Sequence, residues 1–108
     1  MTRELLPQRR HSENFDFQTL GTRFSCQVGY YADGRIGEVF LGMEKAAGTQ
    51  TDVNARDIAV LISICLQYGV KIEKMLATVT KDENGDPEGL TGKVLKRLSE
   101  MPAVPLET

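Results

Sequence analysis

The chain has a single histidine, His11, in a polar N-terminal stretch, so neither a Ser-His-Asp arrangement nor a zinc site built on several imidazoles can be assembled within it. It has two cysteines, Cys26 and Cys65, far apart and without C-x-x-C spacing. They read as small buried hydrophobes rather than metal ligands, and a disulfide between them has no support in a reducing compartment. No apolar run approaches the roughly 20 residues that span a bilayer. Residues 1–10 carry basic side chains but no apolar segment, so no signal peptide is expected and the compartment expected is the cytoplasm. A formal net charge of −2 lacks the basic surplus of a nucleic-acid binder or a polybasic membrane anchor. Neither a nucleic acid polymer nor a membrane is an expected partner, and no cofactor is called for.

What is present suits one soluble domain. In 108 residues, 41% hydrophobic and 26% charged composition is ordinary for a globular chain. Residues 1–12 read as an extended arm, 13–101 as the domain and 102–108 as a tail that begins at Pro102. Residues 13–20 alternate around Phe15 and Phe17, Gly21-Thr22 offers a turn, and residues 23–31 place Phe24, Cys26, Val28 and Tyr30 on one face. Asp33-Gly34 is a hairpin turn, and a less cleanly alternating strand follows over 35–43. Helices are expected over 53–68, capped by Thr51 or Asp52 and ended by Gly69, over 71–79, and over 90–101, whose inner stripe is Leu90, Val94, Leu95, Leu98 and Met101. Strands followed by helices give an α+β fold: a three-stranded antiparallel sheet with about three helices packed on one face. The other face, carrying Ser25, Gln27 and Tyr31, is left wet or free to meet a partner.

The first helix is the most informative element. Its run Ile58-Ala59-Val60-Leu61-Ile62-Ser63-Ile64-Cys65-Leu66, broken by one hydroxyl, is apolar around the whole circumference. One small sheet cannot cover it, so a homo-oligomer, dimer or larger, is expected to supply the rest. Arg56 and Asp57 stand where the helix enters the interior, where charges must be paired to be tolerated.

Two helix starts can hold an anion through free amides and the positive end of the dipole. One comprises Gly48 to Arg56, with Thr49, Thr51, Asn54 and the Arg56 guanidinium as contacts. The other is Gly89-Leu90-Thr91-Gly92-Lys93, with Gly89, Thr91, Gly92 and Lys93. The second is not a phosphate-binding loop of the Walker type, since Pro87 and Val94 occupy the places of its first glycine and its magnesium-binding hydroxyl. Asp82, Asn84 and Asp86 start like a calcium loop, but Pro87 and Lys93 occupy the positions that need glycine and a bidentate glutamate, which leaves an acidic turn.

A set of segments in order, Arg9-Arg10-His11-Ser12-Glu13-Asn14-Phe15-Asp16-Phe17, Phe24 to Val28, Asp33-Gly34-Arg35-Ile36-Gly37-Glu38-Val39-Phe40-Leu41, Ala55-Arg56-Asp57, Leu66-Gln67-Tyr68-Gly69-Val70 and Glu88-Gly89-Leu90-Thr91-Gly92, resembles the TSCPD domain over residues 9–99. That domain lies near the C-terminus of adenosylcobalamin-dependent ribonucleotide reductases and also forms free-standing small proteins. The chain departs from it by lacking the Thr-Ser-Cys-Pro-Asp string, and with it any cysteine-based metal site, while the reductase's radical-site cysteines and large barrel have no room here. The resemblance implies a non-catalytic module from nucleotide metabolism that binds a small anionic ligand such as a nucleotide. Such a module would act as a regulator, or in a phage as a sponge that sequesters a signal nucleotide. The alternative it implies is an accessory or protein-interaction module of a reductase, docking through the wet sheet face and the N-terminal arm.

Overall fold

A computed structural model of the chain describes residues 2–43 and 45–101; the expected tail over 102–108 lies outside them. Three strands form one antiparallel sheet in the order β1 (Ser12–Thr19), β2 (Thr22–Tyr30), β3 (Ile36–Gly42), followed by α1 (Gln50–Gln67), α2 (Ile72–Thr78) and α3 (Leu90–Ser99). This is the expected α+β arrangement. Pairing sets Phe15 against Cys26, Phe17 against Phe24 and Val28 against Val39, so the apolar alternation of all three strands meets on one face. Those residues, with Tyr30 and Leu41, pack against Ala55, Ala59 and Ile62 of α1 and Val94, Leu95 and Leu98 of α3. Leu90 and Met101 of the expected stripe are partly buried against the same core.

Three local details differ from expectation. The first hairpin turns at Leu20-Gly21 rather than Gly21-Thr22: both residues have positive φ, 52° and 70°, the type I′ pair whose twist matches the flanking strands. Helix α1 starts three residues early and its cap is Thr49, not Thr51 or Asp52. The Asp52 carboxylate instead accepts from the amides of Met43 and Gly48, both at 2.9 Å, while Thr49 Oγ1 accepts from Asp52 N. The aspartate is buried and ties the preceding loop to the helix. Finally, Arg56 and Asp57 do not enter the interior, because the helix presents both to solvent. Arg56 pairs with Asp52 at 3.0 Å, one turn earlier, and not with its neighbour.

The placement of α1 follows from its polar side chains. Ser63 Oγ accepts from Val39 N at 2.8 Å and lies 3.1 Å from Val39 O. Gln67 Nε2 donates to Gly37 O at 2.9 Å. With Asp52 on Met43 N, these contacts run along the outer edge of β3. The lengths agree: the helix rises about 22 Å from Asp52 to Gln67, and the strand advances about 20 Å from Gly37 to Met43. The helix therefore lies antiparallel along the sheet's border and satisfies backbone groups that a neighbouring strand would otherwise take. Its core side carries Ala55, Ala59 and Ile62, while Val53, Val60, Leu61, Ile64 and Tyr68 stay exposed, Leu61 at 63% and Val60 at 52%.

The N-terminal arm is pinned across the far end. Glu4 N donates to Gln67 O, Arg3 Nε to Gln67 Oε1, and Tyr31 Oη to Glu4 O. Arg10 holds Glu38. Glu38 fits because Gly29 opposite has no side chain; a Cβ there would collide with the carboxylate. Tyr31, expected on the wet face, is buried under this arm with its ring against Gly37.

Candidate functional site

The register that sends Phe15, Cys26, Val28 and Val39 inward sends Asn14, Gln27 and Phe40 outward as one cross-strand row. Two cavities meet on this outer face and share Gln27 and Phe40. One, about 1030 Å³, lies between sheet and arm and is lined by Arg9, Arg10, His11, Tyr30, Gln27 and Phe40. The other, about 840 Å³, runs towards α1 and is lined by Asn14, Asp16, Gln27, Phe40, Arg56 and Val60. Both have the volume of ordinary small-molecule sites.

Phe40 is the unusual residue here, an aromatic 52% exposed at the junction of the two cavities. Gln27 next to it and Asn14 further along the row are exposed, and no hydrogen bond occupies their carboxamides among the described residues. Arg9 makes no ion pair among those residues, whereas Arg10 is held by Glu38 and the Pro7 carbonyl. The two tyrosine hydroxyls near this side stay protonated at neutral pH and donate within the chain, Tyr30 to Glu13 and Tyr31 to the Glu4 carbonyl. Burial, reinforced by Glu13, pushes the Tyr30 phenol up to about 12. Burial first and then Glu4 raise Tyr31, whose hydroxyl is engaged by the Glu4 carbonyl. Charge at the α1 end is set by Asp52, held below the usual carboxylate range by the amides of Gly48 and Met43 and, behind them, by Arg56. Among the described residues no group of three or more acidic, histidine or cysteine side chains is arranged to hold a metal.

Of the residues proposed from sequence, Thr49, Thr51, Asn54 and Arg56 gather at the start of α1. Thr49 is the cap, and its hydroxyl donates to Ala46 O at 2.7 Å. Thr51 is exposed, and Asn54 accepts from Gln50 at 2.8 Å. Arg56 alone of this group lines an outer-face cavity. Around the start of α3, Gly89 is the cap position without a side-chain bond, and Gly92 is buried with its Cα against Pro87 and Val79. Lys93 donates to Pro87 O at 2.9 Å, while Thr91 lines an apolar groove of about 390 Å³ with Leu61, Ile62 and Met75. Neither outer-face cavity is lined by a residue of this second group. Sequence reasoning missed Phe40, Gln27 and Arg9 as a set. The signal was available in Val39-Phe40-Leu41, three large apolar residues in a strand whose neighbours alternate.

The TSCPD domain model matches residues 2–101. The chain belongs to the TSCPD domain family. Among its relatives, the vitamin B12-dependent ribonucleotide reductase of Agrobacterium fabrum is 36% identical over 78 residues, 72% of this chain and 6% of the reductase. That of Bradyrhizobium diazoefficiens is 33% identical over 79 residues, 72% of this chain and 6% of its own length. That of Rhodopirellula baltica is 38% identical over 71 residues, 66% of this chain and 7% of the relative. This TSCPD chain thus corresponds to a small part of each reductase. No solved structure matches it. No helix among its described residues is long and apolar enough to cross a membrane.

Proposed function

We propose that this TSCPD domain is a non-catalytic module that holds a nucleotide, or a related anionic small molecule, on its outer sheet face. The observation that carries the reading is Phe40, an exposed ring at the meeting point of two cavities, with the unengaged carboxamide of Gln27 next to it and that of Asn14 further along the same cross-strand row. The ring offers a base a stacking platform, Gln27 and Asn14 offer its edge donors and acceptors, and Arg9 and Arg56 stand at the two ends for phosphate. A module of this kind serves as a regulator, or as a sponge that removes a signal nucleotide from solution. Screening nucleotides, deoxynucleotides and cyclic dinucleotides by thermal shift tests it. Binding to the native state alone adds about 2.7 kcal/mol of stability at a hundredfold excess over Kd. Phe40→Ala removes a stacking contact worth about 1–3 kcal/mol, which is about 5-fold to 150-fold in Kd. A hit kept at full strength by both Phe40→Ala and Arg56→Ala, or no hit at all, overturns this reading.

A second reading is favoured by the exposed face of α1. Val53, Val60, Leu61, Ile64 and Tyr68 form an apolar stripe of a kind that marks protein contacts when left uncovered. In the relatives the matching segment is 6–7% of a long chain, so this face has neighbours to meet there. As an accessory module the domain docks this stripe on a reductase. Calorimetric titration against a full-length B12-dependent reductase should show binding that Leu61→Lys abolishes. If no reductase binds and the same variant instead lowers the mass of the free protein, the stripe is a self-contact.

A further inference from the structure

We propose that the open border of β1 pairs antiparallel with β1 of a second copy, joining two three-stranded sheets into one six-stranded sheet across a two-fold axis. This stands apart from the ligand reading and rests on how differently the sheet's two borders are finished. That of β3 is covered by Asp52, Ser63 and Gln67. That of β1 is bare. Tyr30 N donates to His11 O at 3.0 Å, so the odd-numbered residues of this segment direct their backbone groups towards β2. Antiparallel alternation then turns the N–H and C=O of Ser12, Asn14, Asp16 and Gln18 outward, and among the described residues none of them has a backbone partner. The strand lacks three of the usual protections against pairing: it is 8 residues long, contains no proline, and runs in unbroken register with β2.

The side chains of β1 identify the occupant. When a strand pairs with its own copy, the pairing is symmetric about one residue, and outward-facing residues must oppose one another. Centred on Phe15, Asn14 faces the partner's Asp16, Ser12 faces the partner's Gln18 and Glu13 faces the partner's Phe17. No two carboxylates meet, each Asn14 carboxamide can donate to a carboxylate, and the two Phe15 rings lie side by side. Centring on Asp16 would set carboxylate against carboxylate, and centring on Asn14 shortens the overlap. In its longest register the strand is therefore complementary to itself. Asn14 and Asp16 also line the 840 Å³ cavity, so the same pairing brings a second copy of that cavity alongside and makes one outer face of two.

Light scattering of the ligand-free full chain across a concentration series tests this against the 12.0 kDa of one copy. Wild type should show twice that mass at the concentrated end. Asn14→Asp places like charges at both symmetry-related pairs and should weaken association about tenfold, while Asn14→Lys should strengthen it by a similar factor. Asn14→Pro deletes an N–H that is unbonded within one chain, so it should abolish association while circular dichroism melting shows an intact fold. Three results overturn the proposal: a wild type that stays at one copy throughout, an Asn14→Pro protein that is folded and still paired, or Asp and Lys variants that fail to shift association in opposite directions. If Asn14→Pro does not fold, the Asp and Lys pair decides.

Discussion

Replacing Ser63 with alanine removes one oxygen from the chain and isolates one amide. In the wild type that oxygen accepts from Val39 N at 2.8 Å and donates within reach of Ala59 O, at 2.8 Å, and Val39 O. Val39 is 1% exposed, so water cannot readily replace the lost acceptor. Leaving a buried donor unsatisfied costs about 1–3 kcal/mol. Alanine's better helix propensity returns less than about 0.7 kcal/mol of that. For a domain of this size each kcal/mol moves Tm by about 4–8 °C. Ser63→Ala should therefore melt about 5–15 °C below wild type. Ser99, an exposed hydroxyl bonded to Lys96 O, supplies the control, and Ser99→Ala should fall within about 0.5 kcal/mol of wild type. Urea unfolding followed by circular dichroism measures both. A Ser63→Ala protein as stable as the Ser99→Ala control would refute the view that α1 holds β3 through this hydroxyl.

Two glycines near the start of α3 should respond in opposite ways. A Cβ on Gly92 would stand 2.6 Å from Pro87 Cβ and 3.0 Å from Val79 Cγ2, so Gly92→Ala should cost about 1–3 kcal/mol in urea unfolding. Gly89 has open space and no side-chain cap, so Gly89→Ser should add about 0.3 kcal/mol. Burial pushes the Cys26 thiol up to about 11 against the pull of Arg97, so at pH 8 a thiol reagent should label the half-buried Cys65 promptly and Cys26 only on unfolding. Asp52 has a folded pKa below its unfolded value. Its contribution to stability is thus complete above about pH 4 and drains away as pH falls through the folded value, and Asp52→Asn should flatten that acid limb in thermal melts.

Much of the fold was legible because its signals were local. The alternation of Phe24, Cys26, Val28 and Tyr30, the Asp33-Gly34 turn, the glycine after Tyr68 and the stripe of α3 each follow from a repeat or a single special residue. The turn at Leu20 was not legible, because a leucine with φ of 52° is rare and glycine drew the turn one residue along. The start of α1 was misplaced for a related reason. Thr49 and Asp52 have the spacing of a capping box, but whether an aspartate caps a helix or faces inward depends on the loop ahead of it. The long-range uses of Ser63 and Gln67 could not be read at all, since a hydroxyl inside an apolar run gives no sign of which strand border it will meet. The outer face suffered similarly: Phe40, Gln27 and Arg9 come from three segments, and only the register brings them together.

The helix along β3 also determines how the molecule fails. A sheet with two free borders can recruit strands on both sides and grow without limit, which is the geometry of a fibre. Here one border is occupied by the chain's own side chains, so any strand added to this sheet arrives on the same side, and two copies that pair there exhaust each other's capacity to add a third. A chain in which α1 has come loose loses that limit, because Gly37, Val39 and Met43 then present a second row of donors and acceptors. The contacts that hold α1 to the sheet are thus the same ones that close its β3 border to an added strand.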